Sequence, residues 1–155
     1  MPMPDTGDIA PVFILPRDGG GEVALADFAG KPVVVYFYPR DDTPGCTTEA
    51  LGFSAEAEAF AAAGATVIGI SKDSVKSHDK FRDKHGLGVI LASDEAGDTA
   101  ERYGVWREKS MYGKTFLGIE RATFLVGPDG RIAGAWHKVK VEGHVAEVLA
   151  ATRAL

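Results

Sequence analysis

The segment from Pro39 to Cys46 carries the residues best suited to chemistry in this chain. It reads Pro-Arg-Asp-Asp-Thr-Pro-Gly-Cys and follows an apolar run at 33–37. Cys46 is the single cysteine among 155 residues. It can therefore form no disulfide within the chain, and it cannot belong to a Cys-x-x-Cys pair or a cysteine-rich zinc site. What decides the chemistry is whether this thiol is inert or reactive.

The residues before Cys46 predict the start of a helix. Thr43 or Asp42 suits the N-cap, and Pro44 suits the first helical position. Cys46 then falls in the first turn, where free N–H groups and the helix dipole favour an anion such as a thiolate. Because a free thiol of ordinary pKa is already about 3% ionised at neutral pH, complete ionisation would gain only about 30-fold.

Fast reaction with an oxidant would therefore also need groups that stabilise charge on the departing oxygen. The candidates are the Thr43 hydroxyl, the backbone N–H groups near Gly45 and Cys46, and an arginine.

The elements around this loop predict an α/β fold. The uninterrupted apolar run at 33–37 is typical of a strand that is buried on both faces. An amphipathic helix with Ala50, Phe53, Ala57 and Phe60 on one face follows it and ends at Gly64. Because a second apolar strand at 66–70 comes next, these elements form a right-handed βαβ unit.

The remaining pattern predicts a hairpin ahead of this unit and several elements after it. The hairpin pairs 13–15 with 23–25 around the glycines at 19–21. The later elements are a helix from Asp73 or Ser74 to Gly86, a strand at 89–91, a short helix at 95–103, antiparallel strands at 122–126 and 131–136, and a helix at 142–153. This order matches the thioredoxin fold, a mixed central sheet flanked by helices, with an N-terminal β-hairpin extension in one domain over 1–155.

Composition excludes several other classes of protein. Apolar residues make up 45% and charged residues 25% of the chain, and the formal net charge is −5. This balance fits a globular domain and argues against nucleic-acid or anionic-membrane binding through bulk charge. With no secretory signal and no spanning segment, we expect a cytoplasmic protein. The four histidines lack metal-site spacing, so we expect them at the surface and expect no metal site.

The segments 36–39 (Tyr-Phe-Tyr-Pro) and 42–50 (Asp-Thr-Pro-Gly-Cys-Thr-Thr-Glu-Ala) resemble the active-site segment of the peroxiredoxins. They are most similar to the bacterioferritin comigratory protein, or peroxiredoxin Q, subfamily. The family pattern Pro-x-x-x-Thr-x-x-Cys falls on Pro39, Thr43 and Cys46. The family arginine before a Thr-Phe strand falls on Arg121. The resemblance extends over nearly the whole chain.

The resemblance implies reduction of hydrogen peroxide and alkyl hydroperoxides, without a cofactor. Cys46 would attack the peroxide and become a sulfenic acid. Thr43 would align the peroxide, Arg121 would hold the thiolate and polarise the O–O bond, and Pro39 would cover the pocket. Glu49 most simply complements the helix dipole, and positioning of the loop or of Arg121 is its second interpretation.

This chain departs from the subfamily pattern at the resolving cysteine. Many members carry that cysteine five residues after the first, where this chain has Leu51, and others carry it on a later helix. We therefore expect a 1-Cys mechanism that uses an external thiol, such as thioredoxin, glutaredoxin or glutathione, or a second copy through its own Cys46. A monomer is favoured over a dimer.

Three other interpretations of Cys46 stay open at this stage. In a redox sensor or binding protein, oxidation of Cys46 would be a signal with little turnover. In a purely structural module, Cys46 would be a buried apolar residue. A cysteine hydrolase is the least favoured, because no histidine lies near Cys46 in the sequence.

Overall fold

The computed structural model describes residues 2–155 and contains short β-hairpins, a central sheet and flanking helices. In chain order the strands are β1 (Ile14–Pro16), β2 (Glu22–Ala24), β3 (Val33–Phe37), β4 (Thr66–Ser71), β5 (Ile90–Ser93), β6 (Trp106–Met111), β7 (Lys114–Ile119), β8 (Ala122–Val126) and β9 (Ile132–Trp136). The α-helices are α1 (Pro44–Ala55), α2 (Ala57–Ala62), α3 (Val75–His85), α4 (Thr99–Arg102) and α5 (His144–Arg153), and a 3-10 helix spans Leu25–Phe28.

The central sheet has the strand order β5-β4-β3-β8-β9. The first three of these strands are parallel to one another, whereas β8 is antiparallel to both β3 and β9. All five residues of β3 are buried, because the strand lies in the middle of the sheet with apolar groups on both faces. The predicted mixed sheet with flanking helices is thus confirmed.

The register of β3 against β8 brings two distant segments to one edge of the sheet. Phe37, the last residue of β3, pairs with Ala122, the first residue of β8. The loop that leaves β3 toward Cys46 therefore begins beside Arg121, which directly precedes β8. Antiparallel pairing in the centre of the sheet is what closes the gap of 75 positions between Cys46 and Arg121.

Two apolar cores lie on opposite faces of the sheet. The predicted N-terminal hairpin, in which Ile14 pairs with Ala24, packs Leu15 and Val23 onto one face. The helices α1, α2, α3 and α5 cover the other face, where Phe53, Phe60 and Phe81 are buried together with Cys46. The helix that carries the thiol is therefore anchored in a core.

Two of the predicted helices have different bounds in the structure. The helix after Cys46 is interrupted at Glu56, but Phe53 and Phe60 stay buried with ring centroids 5.9 Å apart, so apolar spacing does not reveal the break. The short helix is confined to Thr99–Arg102, because the carboxylate of Asp94 accepts the N–H groups of Thr99 and Ala100 and fixes its start.

Strands β6 and β7 form a hairpin that the sequence pattern did not predict. Most of its residues are exposed, so the apolar alternation of a half-buried strand is missing. Its turn has positive φ at Tyr112 and Gly113, at 53° and 74°, as in a two-residue type I′ hairpin.

Within residues 2–155, no helix is long and apolar enough to cross a membrane.

Candidate active site

Cys46 lies in the first turn of α1, at the end of the loop that follows β3. Thr43 is the N-cap residue, and the bond from the Thr47 N–H to the Thr43 carbonyl, 2.8 Å long, is the first of the helix. The N–H groups of Gly45 and Cys46 precede that bond and so have no partner within the helix. Only 1% of Cys46 is exposed. The thiol is therefore buried where the helix end favours negative charge.

Arg121 links Cys46 to Glu49 across the start of the helix. Its Nη2 donates to Cys46 Sγ at 3.4 Å, and its Nη1 donates to Glu49 Oε1 at 2.6 Å. Cys46 and Glu49 are three positions apart and so share one face of α1. One guanidinium is thus held between a carboxyl group and the sulfur, and positioning of Arg121 by Glu49 stays a prediction.

Glu49 is fully buried and is the most strongly perturbed acid of this site. Burial raises the pKa of Glu49 from 4.5 to about 7, against the opposing charge and hydrogen bond of Arg121. Within residues 2–155 its second oxygen, Oε2, is buried without a hydrogen-bond partner. Glu49 can therefore hold or release a proton near neutral pH, directly beside the arginine that contacts the thiol.

Gly45 leaves the space that Arg121 occupies. A Cβ atom at this position would lie 3.1 Å from Arg121 Nη2. A side chain here would press on the guanidinium from the helix side. The absence of a side chain at Gly45 therefore allows Arg121 to approach the sulfur closely.

The hydroxyl of Thr43 does not cap the helix with its side chain. It donates instead to the carbonyl of Arg40 at 2.8 Å. A hydroxyl that donates in one direction can still accept a hydrogen bond through its lone pairs. Thr43 is therefore the N-cap by position, and its oxygen has the polarity to receive the O–H of a hydroperoxide.

Pro39 is exposed and lies outside β3, two residues after the last residue of that strand. Its role as a cover over the thiol stays a prediction.

Of the predicted site residues, Arg121 directly contacts both Cys46 and Glu49, and Gly45 lies against the same guanidinium.

The prediction that all four histidines lie at the surface is wrong for His78 and His144. Both are buried, because each has a hydrogen-bond partner inside. His144 Nε2 lies 2.8 Å from Thr123 Oγ1, and burial, assisted by the charge of Arg121, lowers the pKa of His144 to about 4. His144 is therefore neutral at physiological pH and adds no charge to the site.

Sequence reasoning also missed the polar contacts between the Cys46 loop and α3. His78 lies on α3 and contacts Asp41 in the loop, with 2.7 Å between Nδ1 and Oδ2. No local sequence signal marks this contact, because Asp41 and His78 are 37 positions apart and only the fold brings them together. Within residues 2–155, no three His, Cys, Asp or Glu side chains are grouped to hold a metal ion.

Comparison with known proteins places the chain in a family. Residues 6–135 match the AhpC/TSA family. The chain is 48% identical over 145 residues to peroxiredoxin Bcp of Bacillus subtilis, covering 94% of this chain and 92% of that protein.

Two solved structures from Xanthomonas campestris are also similar. Peroxiredoxin Q has a TM-score of 0.87 at 50% identity, covering 92% of this chain and 90% of that one. The bacterioferritin comigratory protein, described with alkyl peroxide reduction activity, has a TM-score of 0.87 at 49% identity, with the same coverage. These neighbours confirm the predicted thioredoxin fold.

The chain thus combines a single cysteine at a helix start with an arginine that contacts it, and its relatives are peroxiredoxins. The chain belongs to the AhpC/TSA family, in its bacterioferritin comigratory protein (peroxiredoxin Q) group, and is a thiol-dependent peroxidase with a single cysteine.

Proposed function

We propose that the protein reduces hydrogen peroxide and alkyl hydroperoxides in the cytoplasm by a 1-Cys mechanism, with Cys46 as the peroxidatic residue. The observation that carries this proposal is the 3.4 Å contact between Arg121 Nη2 and Cys46 Sγ in a chain with no second cysteine. The alkyl peroxide reduction ascribed to the Xanthomonas campestris neighbour supports the substrate class.

In the first step the Cys46 thiolate attacks one peroxide oxygen. An S–O bond forms, the O–O bond breaks, and the departing oxygen takes a proton and leaves as water or an alcohol. Sulfur is thereby oxidised by two electrons to the sulfenic acid. Arg121 stabilises charge on sulfur and oxygen, and the Thr43 oxygen and the N–H groups of Gly45 and Cys46 orient the peroxide. Pro39 limits the access of water.

In the second step an external thiol attacks the Cys46 sulfur and releases the oxygen as water. The product is a mixed disulfide, and a second thiol then reduces it and restores Cys46. Thioredoxin, glutaredoxin and glutathione are the candidate reductants. Leu51 occupies the position five residues after Cys46, so no thiol of this chain competes for the sulfenic acid at that place.

The test is peroxide consumption by the reduced protein without reductant, with glutathione plus glutaredoxin, and with thioredoxin. We expect one peroxide consumed per chain without reductant, and many with one of the two systems. The matched control, Cys46→Ser, should consume none. Fast oxidation of Cys46 without turnover in any of these systems would contradict the mechanism and favour the redox sensor.

A further inference from the structure

Two successive carboxylates fasten the Cys46 loop to α3. Asp41 is buried, with 8% of its surface exposed, whereas the side chain of Asp42 is 42% exposed. Asp42 has a left-handed backbone, with φ of 57°, and contacts Lys84 Nζ at 2.7 Å and His85 Nε2 at 2.8 Å. Because exposed ion pairs are screened and contribute little, the buried carboxylate is the stronger attachment.

The carboxylate of Asp41 has hydrogen-bond partners from two parts of the fold, the residue that follows β3 and helix α3. Tyr38 donates its hydroxyl to Oδ1 at 2.6 Å, and Ser77 donates its hydroxyl to Oδ2 at 2.8 Å. His78 Nδ1 lies 2.7 Å from the same Oδ2. The backbone N–H of Asp41 donates to Asp73 Oδ2 at 2.8 Å. Side chain and backbone are thus both held at one point of the loop.

The contacts of His78 decide its protonation state. Its Nε2 lies 3.0 Å from the carbonyl oxygen of Ala92, which can only accept, so Nε2 carries a proton. A neutral ring would then present the lone pair of Nδ1 to the carboxylate of Asp41, and the two would repel. This geometry favours a proton on both ring nitrogens, which makes His78 a buried cation.

The charged surroundings of His78 favour this cation. Burial lowers the pKa of His78, but the hydrogen bond and charge of Asp41, the Ala92 carbonyl and the charge of Asp73 together raise it above the ordinary value. Tyr38 faces the pair from the end of β3, and burial and Asp41 raise its pKa well above the usual range, so it remains a donor. β5 contributes only the Ala92 carbonyl to the ring.

We propose that His78 is a positioning residue for the peroxide step, acting through Asp41 on the loop that carries Thr43 and Cys46. This proposal rests on the proposed function. The connection is short, because the carbonyl of Arg40, the residue before Asp41, accepts the Thr43 hydroxyl at 2.8 Å. A movement of Asp41 therefore moves the oxygen that orients the peroxide.

The proposal predicts an alkaline fall in the rate of peroxide reaction. As the pH rises through the raised pKa of His78, the ring loses its Nδ1 proton and the lone pair repels Asp41. Thr43 then shifts away from the sulfur, and small displacements of reacting groups cost roughly 10- to 100-fold in rate. Ionisation of the thiol alone would instead give a rate that rises with pH and then stays level.

The experiment measures the second-order rate constant of Cys46 with hydrogen peroxide from well below to well above the ordinary histidine pKa of about 6.5. Wild type and the control Asp42→Asn should both show the alkaline fall. His78→Gln should react roughly 10- to 100-fold more slowly at neutral pH and lack that fall.

The double variant Asp41→Ala with His78→Leu tests the proposal even if the single variant His78→Gln fails to fold. Removing both partners of a buried pair leaves no unpaired charge and is tolerated far better than removing one. This variant should fold and lack the alkaline fall. A fall that persists in it would assign the effect to another group, such as Lys109, whose pKa burial and the charge of Arg121 lower, and would overturn the proposal.

A measurement that needs no peroxide separates this inference from the proposed function. Nitrogen-15 NMR of the His78 ring at about pH 7 should show protons on both nitrogens. A ring with a bare Nδ1 would overturn the inference even in an active peroxidase. Slow oxidation of wild-type Cys46 beside a doubly protonated ring would instead reject the proposed function, and with it the role of His78 in the peroxide step.

Discussion

At the scale of single residues, the site depends on one guanidinium that bonds to a sulfur and a carboxyl at once. Arg121 reaches Cys46 Sγ at 3.4 Å and Glu49 Oε1 at 2.6 Å. The carboxyl fixes the fork of Arg121, so that its second nitrogen points at the thiol. Sequence could suggest Arg121 only through family resemblance, because nothing local to either segment shows that the two meet.

Substituting Gly45 tests whether the reaction needs this close approach. In Gly45→Ala the new methyl group would lie 3.1 Å from Arg121 Nη2 and push it from the sulfur. We expect the rate constant for peroxide to fall roughly 10- to 100-fold with little loss of stability. Gly88→Ala is the matched control, because its Cβ meets no atom closer than 3.9 Å. Equal rates in the two variants would show that Arg121 does not need this position.

Glu49 predicts a pH dependence of stability with a defined sign. Its pKa rises from 4.5 to about 7 on folding, so the folded state binds the proton more tightly than the unfolded chain. The stabilisation is complete below about pH 4.5 and is lost as the pH rises through about 7. Complete loss of this stabilisation lowers the free energy of unfolding by about 3 kcal/mol.

Glu49→Gln is the test of this sign, because glutamine imitates the protonated acid. The free energy of unfolding of the variant, relative to that of wild type, should increase as the pH rises from about 5 to about 8. The increase should reach up to about 3 kcal/mol. Urea titrations at the two pH values measure the difference, with the exposed Glu58→Gln as control. A variant that loses stability relative to wild type at the higher pH would show that Glu49 is charged and needed as an ion.

At the scale of elements, the position of α1 against α5 determines where Cys46 sits. A Cβ atom at Gly52 would lie 3.0 Å from Val145 Cγ2. The stiff side chain of Val145 cannot easily turn away. Gly52→Ala should therefore destabilise the protein by about 1 kcal/mol, since overpacking exceeds the helical gain from alanine.

A second substitution separates this clash from a general effect of alanine. In Gly52→Ala with Val145→Ala the space is restored, and thermal unfolding should show the double variant more stable than additive single effects predict. Strict additivity would mean that the two helices do not meet at this point.

The order of elements could be predicted because the core strands are continuous apolar runs. The run at 33–37 and the Pro-Asp-Gly turn before Arg131 both lie where the pattern placed them. The β6–β7 hairpin could not be predicted in this way, because its residues are mostly exposed and its charges hide the period. The break at Glu56 was equally hidden, since no glycine or proline marks it.

The sequence predicts the features of the candidate site that depend on adjacent residues. It does not predict the contacts between residues far apart in the chain. The helix start at Pro44 and the thiol in its first turn follow from adjacent residues. The contacts of His78 with Asp41 and with the Ala92 carbonyl join three separate segments. The spacing of the histidines in the sequence gives no sign of such partners. The sequence therefore predicted a surface position for His78.

At the scale of the whole molecule, a single buried thiol defines the chemistry. Cys46 is the one cysteine of 155 residues and is 1% exposed. Because so little of Cys46 is exposed, a protein reductant can contact the sulfur only if the residues that cover it move. The attachment of the loop through Asp41 and the contact with Arg121 therefore bear on both halves of the proposed cycle.

The most direct test of this account is the intact mass of the reduced protein mixed with one equivalent of hydrogen peroxide and quenched over time. We predict that the chain gains one oxygen on Cys46 far faster than free cysteine does, and that glutathione or a thioredoxin system then removes it. A thiol oxidised no faster than free cysteine would contradict the central claim that Arg121 and the start of α1 make Cys46 a peroxidatic residue.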